Sequence, residues 1–545
     1  MGLARTLLRP VAYAAGLHAS GQLRAFLSAH ERTAAVQQRL LSELIAAHEQ
    51  TDFGRDHGFG RIRTYGDFTS AVPIRSYEAL RPYVERVLDG HDAALLPPDD
   101  RALMFSMTSG TTGRPKHIPV TRRFLRGLRR GWNVWGLRSL RDHPEAWLRS
   151  ILQISSSMRE SSSPSGVPCG AVSGLLAVTQ KRIVRRMYVV PPAVADIHDP
   201  AVKYYTILRC GVGRDVSIIT TANPSSTIKL IETGQQHADR LVQDVAAGTY
   251  RPPGEAPADL AKALRFKPRP ALAARLRDGI RRDGQLMPGH FWRPAFLANW
   301  TGGTLKLYLP RLRALFGDVP VRDVGLLASE GRFSVPLADH TPAGVAEITA
   351  NFLEFIPAEQ RDSERPDALR AHELDVGHEY FLVFSNWTGL WRYDLDDRVR
   401  VVDRLGRSPV FEFLSRGLHT ASITGEKISE HQVVEAMRLA AAAAGVTVER
   451  FCVQGRFAAT PYYELRLDAE QSAAAHALAG GVDRELGELN MEYRSKRDSG
   501  RLGPIRPVLL AAGAMEQAEA RNILRRRGRG EQYKHQYLLT DVIGE

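Results

Sequence analysis

The most constraining stretch of this chain is Ser106-Met107-Thr108-Ser109-Gly110-Thr111-Thr112-Gly113-Arg114-Pro115-Lys116, which overlaps a short apolar run beginning at Leu103. The run predicts a strand, which must then give way to a loop of hydroxyls and glycines ending on a lysine. Such a loop can wrap a polyphosphate. Glycine lets backbone N–H groups come close, hydroxyls donate hydrogen bonds, and the lysine supplies a compact positive charge. The spacing is G-x-x-G-x-x-K with no Lys-Ser/Thr pair opening a helix, so it is not a Walker A sequence. Ser109, Gly110, Thr111, Thr112, Gly113 and Lys116 are the candidate phosphate-binding residues.

The rest of the chain reads as scaffold. Residues 20–50 carry Val36, Leu40, Leu41, Leu44 and Ile45 on one helical face, and Thr51-Asp52-Phe53-Gly54 ends the run. Residues 65–88 read as short helices broken by Pro73 and Pro82. Strands are predicted at 103–107, 151–154, 216–220, 324–327 and 380–384, with helical patterns between several of them, which argues for an α/β sheet. Segments 252–270 and 357–370 are rich in proline and charge and are expected on the surface. The pattern changes near 403–420. Beyond it Ser429 caps an Ala-rich helix closed by Gly445, strands follow near 450–457 and 462–467, then a helix from about 470, a strand near 506–510 and a last helix into Arg527. The expectation is a large α/β domain with mixed and parallel sheets over residues 1–415 and a smaller α+β domain over 416–545.

Composition narrows the partners. Of 545 residues, 43% are hydrophobic and 24% charged, and no apolar stretch nears the roughly 20 residues that span a bilayer, so a membrane protein is not expected. The net charge of +13 favours anions such as nucleotides, acidic metabolites, nucleic acid or anionic lipid. Cys169, Cys210 and Cys452 are far apart and outside any CxxC or Cys/His cluster, which excludes a disulfide framework or zinc site and points to the reducing cytoplasm. Near the start, Arg9 and Pro10 interrupt the short apolar run that a secretory leader needs. Arg525, Arg526, Arg527 and Arg529 lack interleaved aromatics and read as a solvated helix face, not a nucleic-acid patch.

The loop resembles the phosphate loop of the adenylate-forming superfamily, Ser/Thr-Ser-Gly-Thr-Thr-Gly-x-x-Lys. Other stretches resemble one branch of it, the GH3 acyl-acid amido synthetases, in a bacterial-type form: Thr51-Asp52-Phe53-Gly54 with Gly58-Phe59, Val72-Pro73-Ile74 with Tyr77, His117-Ile118-Pro119-Val120, and Tyr308-Leu309-Pro310. The likeness runs from about residue 35 to the C-terminus. Leu327-Ala328-Ser329-Glu330-Gly331 sits at the predicted carboxyl end of a strand, where open sheets bind ligands. Alone, its Ser-Glu pair would read as a helix cap. Its similarity to the family's Ser-Ser-Glu implies that Ser329 contacts the adenine region and that Glu330 helps hold Mg²⁺. Gly389-Leu390-Trp391-Arg392-Tyr393-Asp394-Leu395-Asp396-Asp397 is similar to Gly-Leu-Tyr-Arg-Tyr-x-x-Gly-Asp, which implies Asp397 on the ribose hydroxyls, with Asp396 standing where the family has glycine.

Arg416 matches the family arginine ahead of the C-terminal domain, implying a ribose or phosphate contact and a hinge role. Gly530-Glu531-Gln532-Tyr533-Lys534 looks like the family's Gln-Tyr-Lys, which makes Lys534 the catalytic lysine of adenylation, although His535-Gln536-Tyr537 departs from the Thr-Pro-Arg of plant members. Lys427 is a weaker, structural candidate. Trp132, Trp135, Trp292 and Trp300 read either as walls of an acyl pocket or as core. The resemblance implies ATP and Mg²⁺, activation of an acyl acid to an acyl-adenylate, and amide formation with an amino acid, without nucleic-acid or membrane partners. An acyl-CoA ligase is the alternative. A basic nucleic-acid-binding or scaffold protein with a dead nucleotide site is a third reading, which the intact Lys116, Glu330, Asp397 and Lys534 oppose.

Overall fold

Apolar side chains at helical spacing build the first layer over the site. The computed structural model describes residues 20–108, 115–180, 182–361, 363–417, 420–421, 423–424, 426, 428–458, 460–498, 502–525 and 535–543. The helix expected over 20–50 is two segments, residues 20–29 and Thr33–His48, joined by the 3-10 turn His30–Arg32. The joint has a local cause: the His30 ring is buried between Phe26 O (2.6 Å) and Ala346 O (3.1 Å), and Thr33 Oγ1 donates back to His30 O (2.9 Å). Leu40, Leu41, Leu44 and Ile45 are buried as their spacing predicts, while Val36 is only partly so. Thr51 then caps the short helix Asp52–Asp56. A Cβ on Gly54 would lie 2.1 Å from His48 O, so only glycine allows this turn. Pro73 lies between the helices Tyr65–Ala71 and Tyr77–Leu88, but Pro82 sits inside the second and does not break it.

The chain divides into two compact units. The first runs to Gly302 and resumes at Leu315–Phe413; the second comprises Gly303–Ala314 and the chain from Leu414. Within the first unit, Met104–Thr108 pairs antiparallel with Lys116–Val120 and parallel with Pro168–Gly170. A second sheet is wholly parallel, in the order Ser150–Gln153, Val216–Thr220, Phe296–Ala298, Val321–Arg322. A seven-stranded sheet runs Ser334–Val335, Gly344–Ala346, Ser408–Arg416, Tyr393–Leu405, Glu379–Asn386, Asn351–Pro357, Leu369–Arg370.

The strand expected at 324–327 does not form. The parallel sheet ends at Arg322, because the buried Asp323 carboxylate accepts from Thr301 N, Thr301 Oγ1 and Gly325 N and turns the backbone out of the sheet. Gly325 follows with φ +86° and with Ser334 O 2.3 Å from where a Cβ would stand, a position only glycine can take. Leu327–Ala328 pairs instead with Gly331–Arg332. Of the tryptophans, Trp135 and Trp292 are core: their indole N–H groups donate to Asp323 O (2.8 Å) and Gly211 O (3.0 Å).

In the second unit Ser429 caps Glu430–Ala444 in a reciprocal box with Gln432, and Gly445 closes the helix with a left-handed φ. That helix and Ala475–Leu489 cover a sheet in the order Arg506–Leu510, Tyr462–Asp468, Cys452–Arg456, Leu538–Ile543. Leu307, from the Gly303–Ala314 segment, is buried in the same core. The last described helix is Ala514–Arg525; the expected continuation to Arg527 lies outside the described residues. Cys169, Cys210 and Cys452 are free. Among the described residues no helix is long and apolar enough to cross a membrane.

His48 gives this fold a titratable element. Its ring is fully buried, 5.1 Å edge-on to Trp391, and burial holds its pKa at about 4 against an ordinary 6.5. The unfolded chain therefore binds a proton between these values that the folded chain refuses, so stability is full above pH 6.5 and falls as pH drops toward 4. We expect the wild type to lose about 2 kcal/mol more stability than a His48→Phe variant between pH 7.5 and pH 5, read by urea unfolding at both pH values.

Candidate active site

The first motif is a hairpin base. Thr108 faces Lys116 across the antiparallel pair, so the two ends of the predicted phosphate loop meet. Ser109, Gly110, Thr111, Thr112 and Gly113 lie outside the described residues, as do Lys427 and Lys534. The Lys116 ammonium donates to Tyr393 Oη (3.2 Å) and stands 5.5 Å from the centre of the Tyr77 ring and 5.9 Å from that of Tyr393. Tyr77 Oη donates to His117 O (3.0 Å) and accepts from His117 N (2.7 Å), which clamps the strand just past the lysine. Burial pushes the Tyr77 phenol up to about 12, and the nearby Glu330 carboxylate adds to the rise, so this ring stays neutral. Lys116 from the first motif and Tyr393 from the third thus meet in the first unit, beside Tyr77, whose phenol also feels the Glu330 carboxylate of the second.

The second motif follows the carboxyl end of a strand, Leu327–Ala328, but of a two-stranded sheet and not of the parallel one. Ser329 and Glu330 form the two-residue turn of the Leu327–Ala328/Gly331–Arg332 hairpin. The Glu330 side chain is nonetheless buried, at 3% exposure. Two residues that motif reading missed hold this turn. Asn386 Nδ2 donates to Glu330 O (2.9 Å) and to Asn351 Oδ1 (2.9 Å), and Asn351 Nδ2 donates to Arg332 O (2.7 Å). Their signal in sequence is only a pair of asparagines within strand patterns, which by itself says nothing of hairpin partners 19 and 56 residues away.

The third motif is held in an unusual backbone. Gly389 takes φ +81°, and a Cβ there would meet Leu95 Cβ at 2.8 Å. Trp391 is fully buried against Phe59 (4.6 Å), His48, Phe68 and Phe53. Arg392 has φ +41°, a conformation that is rare for a long side chain. Its guanidinium sits on Glu354 (Nε–Oε1 3.0 Å, Nη2–Oε1 2.9 Å) and donates to Val72 O (2.9 Å). Arg75 N donates to Arg392 O and Asp394 N to Arg75 O, both at 2.9 Å, so the Val72-Pro73-Ile74 stretch and this motif are stitched together.

Asp396, where the family has glycine, has φ +64°. The pairing with the Glu379–Asn386 strand steps from Phe381↔Arg398 to Val383↔Asp394, a bulge whose extra residues include Asp396 and Asp397. Aspartate holds the left-handed conformation through local bonds: Asp396 N donates to Asp394 Oδ1 (2.9 Å), and Arg361 bridges the Asp394 and Asp396 carboxylates (2.5 Å each). Asp397, on the same bulge, is buried at 3% exposure.

Arg416 ends the Ser408–Arg416 strand and is partly buried in the second unit. In that unit the chain beyond Lys534 is well anchored. Tyr537 is buried, its N–H donates to Glu430 Oε1 (2.8 Å), and the His535 ring lies 2.8 Å from Phe451 O. The departure from Thr-Pro-Arg thus places a core aromatic here. For a metal, the donors are hard carboxylate oxygens. Among the described residues no cluster of three or more His, Cys, Asp or Glu could hold an ion unaided. A single hard carboxylate such as that of Glu330 would suit Mg²⁺, which is held jointly by one or two carboxylates, substrate phosphates and water.

Comparison with known proteins covers nearly the whole chain. Residues 22–321 match the GH3 family N-terminal domain, 345–416 the GH3 family central domain and 431–542 the GH3 family C-terminal domain. Curated relatives include the jasmonoyl–L-amino acid synthetase JAR6 of Nicotiana attenuata, 25% identical over 74% of this chain and 73% of that one. The indole-3-acetic acid-amido synthetase GH3.8 of Oryza sativa subsp. indica is 24% identical over 89% and 84%. These are plant proteins, and they lend no support to a bacterial-type assignment. Among solved structures, the GH3.15 acyl acid amido synthetase superposes with a TM-score of 0.82 at 19% identity, covering 95% of this chain and 94% of that one. A 2-hydroxyisobutyryl-CoA ligase superposes at 0.53 and 12% identity, over 94% and 90%. The α/β architecture with a smaller C-terminal domain is theirs, and with three successive domain matches this chain belongs to the GH3 family.

Proposed function

We propose that this chain is an ATP-dependent, AMP-forming acyl acid amido synthetase. The observation that carries the reading is the hydrogen bond between Lys116 and Tyr393, 277 residues further on, beside Tyr77, whose phenol also feels the Glu330 carboxylate. In the first step a substrate carboxylate oxygen attacks the α-phosphorus of ATP, a new P–O bond forms, and the bond to pyrophosphate breaks. In the second, an amino acid's nitrogen attacks the acyl carbon, the amide forms, the amine loses a proton, and AMP leaves.

Each residue has a role in this reading. Lys116 and the loop 109–113 bind the phosphates, with the two tyrosines fixing the ammonium. Ser329 presents backbone to the adenine, Asp397 accepts from the ribose hydroxyls, and Arg416 contacts ribose or phosphate. Glu330 would hold Mg²⁺ jointly with phosphate oxygens, where the ion's charge offsets that of the phosphates. Lys534 bridges the attacking carboxylate and the α-phosphate, aligning two anions that otherwise repel. Residues 1–415 act as the adenylation domain, and residues 416–545 as a mobile domain that brings Lys534 for the first step and withdraws it for the second. A bacterial-type origin rests only on the His535-Gln536-Tyr537 departure, and cytoplasmic residence on the three free cysteines.

The test is pyrophosphate release over a panel of aromatic, aliphatic and hydroxy acids, with pooled amino acids or CoA as acceptor. Amide products support the reading; CoA thioesters alone would make the chain an acyl-CoA ligase. Lys534→Ala is expected to lower adenylation by about 100-fold or more while ATP binding stays measurable by calorimetry, and unchanged turnover would remove the mechanism. Asp396→Gly is expected to keep turnover within about threefold and stability within about 1 kcal/mol, because glycine takes the left-handed conformation freely while the partly exposed Arg361 pair is weak. A tenfold loss would instead place the Asp396 carboxylate on the nucleotide.

A further inference from the structure

We propose that a hollow where the strands of the parallel sheet begin is a binding site for a small amphipathic carboxylate, separate from the residues of the adenylation reading. The hollow has a volume of about 500 Å³. Small-ligand sites occupy roughly 300 to 1,000 Å³, so a molecule with a ring or a short alkyl chain has room here. Its walls come from residues 282–294 and 315–319, all in the first unit. Arg293-Pro294 leads into the strand Phe296–Ala298 and Val319 into its parallel partner Val321–Arg322. The turn that carries Ser329 and Glu330 comes only after these strands have ended.

The walls are apolar and preorganised. Trp292, buried, forms the floor, and the half-buried Met287, Pro294, Phe316 and Val319 add carbon surface that a ligand can cover. His290 holds one wall in shape: its ring is buried, Nδ1 accepts from Met287 N (3.3 Å), and Nε2 stands 2.7 Å from Asp283 Oδ2. A Cβ on Gly279 would lie 2.6 Å from that ring, so the helix Pro270–Asp283 admits the imidazole only because it carries glycine there.

The charges on the lining select the ligand's head group. Arg282 offers its side-on pair of donors to Asp283 (Nε–Oδ1 2.9 Å, Nη2–Oδ2 3.0 Å) and, with His290, holds that carboxyl well below the usual carboxylate range. Arg293 bonds in another way: only Nη1 is engaged, donating to Trp292 O (2.8 Å) and to Gly289 O, while Arg149 fixes its backbone carbonyl (2.8 Å). Its Nε and Nη2, the same side-on pair, have no partner among the described residues. That pair matches the two oxygens of a carboxylate, and the positive charge of Arg293 is the one left unbalanced on the lining. A cation is repelled, a neutral molecule leaves the charge unmet, and inorganic phosphate gains nothing from the carbon walls. A carboxylate on an apolar body meets both.

The test is calorimetric titration of the full chain with phenylacetate, 4-phenylbutyrate and octanoate, each beside its carboxamide, and with inorganic phosphate. Two variants accompany the wild type. Arg293→Gln removes the charge and the paired donors; Gly289→Leu adds a side chain on the lining at a position where a Cβ meets nothing within 4 Å, so folding is not at stake. We expect one binding event that favours an acid over its amide by about tenfold or more, absent from both variants, while pyrophosphate release in the variants stays within about twofold of wild type. Acid binding that persists unchanged in both variants belongs to the reaction site and overturns the hollow. So do phosphate bound as tightly as the acids, and the absence of any acid binding at millimolar concentration. Variant-sensitive binding in a chain that releases no pyrophosphate would keep the hollow and sink the adenylation reading alone.

Discussion

The buried ion pair between Arg392 and Glu354 is the constraint on which the rest of the site depends. The two side chains are 7% and 0% exposed, and burying such a pair is favourable only when its remaining hydrogen-bonding groups are met. They are met here: Tyr65 Oη donates to Glu354 Oε1 (2.8 Å), and Val72 O takes an N–H from Arg392 (2.9 Å). Removing one partner of a buried pair typically costs about 3–5 kcal/mol, which is ample to hold one residue in a left-handed backbone worth about 1–2 kcal/mol. The strain at Arg392 is therefore maintained by the core and not by any ligand, and it sets the direction of the next residue, Tyr393, toward Lys116.

The same economy of charge runs through the site. Lys116 is held by a phenol oxygen and two aromatic faces, contacts that orient its ammonium. The surplus of +13 adds a long-range pull on the same class of ligand. Asp396 shows how a chain can replace a glycine at a bulge without losing the shape: its neighbour's carboxylate and one arginine supply what the missing side-chain freedom would have given.

Much of this was legible in sequence because it is local. The strand at 216–220 and the cap and stop of the Ser429–Gly445 helix are set by neighbours a few residues away. What failed was decided at long range. The 324–327 segment has strand-like residues, but Asp323 is captured by Thr301, 22 positions back. Pro82 reads as a breaker, yet it sits in a helix whose Tyr77, Leu80, Val84 and Val87 are all buried. Trp135 and Trp292, left open in sequence between pocket wall and core, are fixed as core by N–H bonds to carbonyls far along the chain. The role of Asn351 and Asn386 depends on which strands lie side by side, and no spacing rule reports that.

The second unit draws on two separate stretches of polypeptide, so the chain enters it, leaves it and enters it again. Leu307 belongs to its core, packed with residues contributed from Ala421 onward. A fragment expressed from residue 416 would therefore begin life with a hole where Leu307 belongs, and the complementary fragment would carry that leucine with nothing to cover it. The backbone passes between the two units at three places, after Gly302, Ala314 and Phe413.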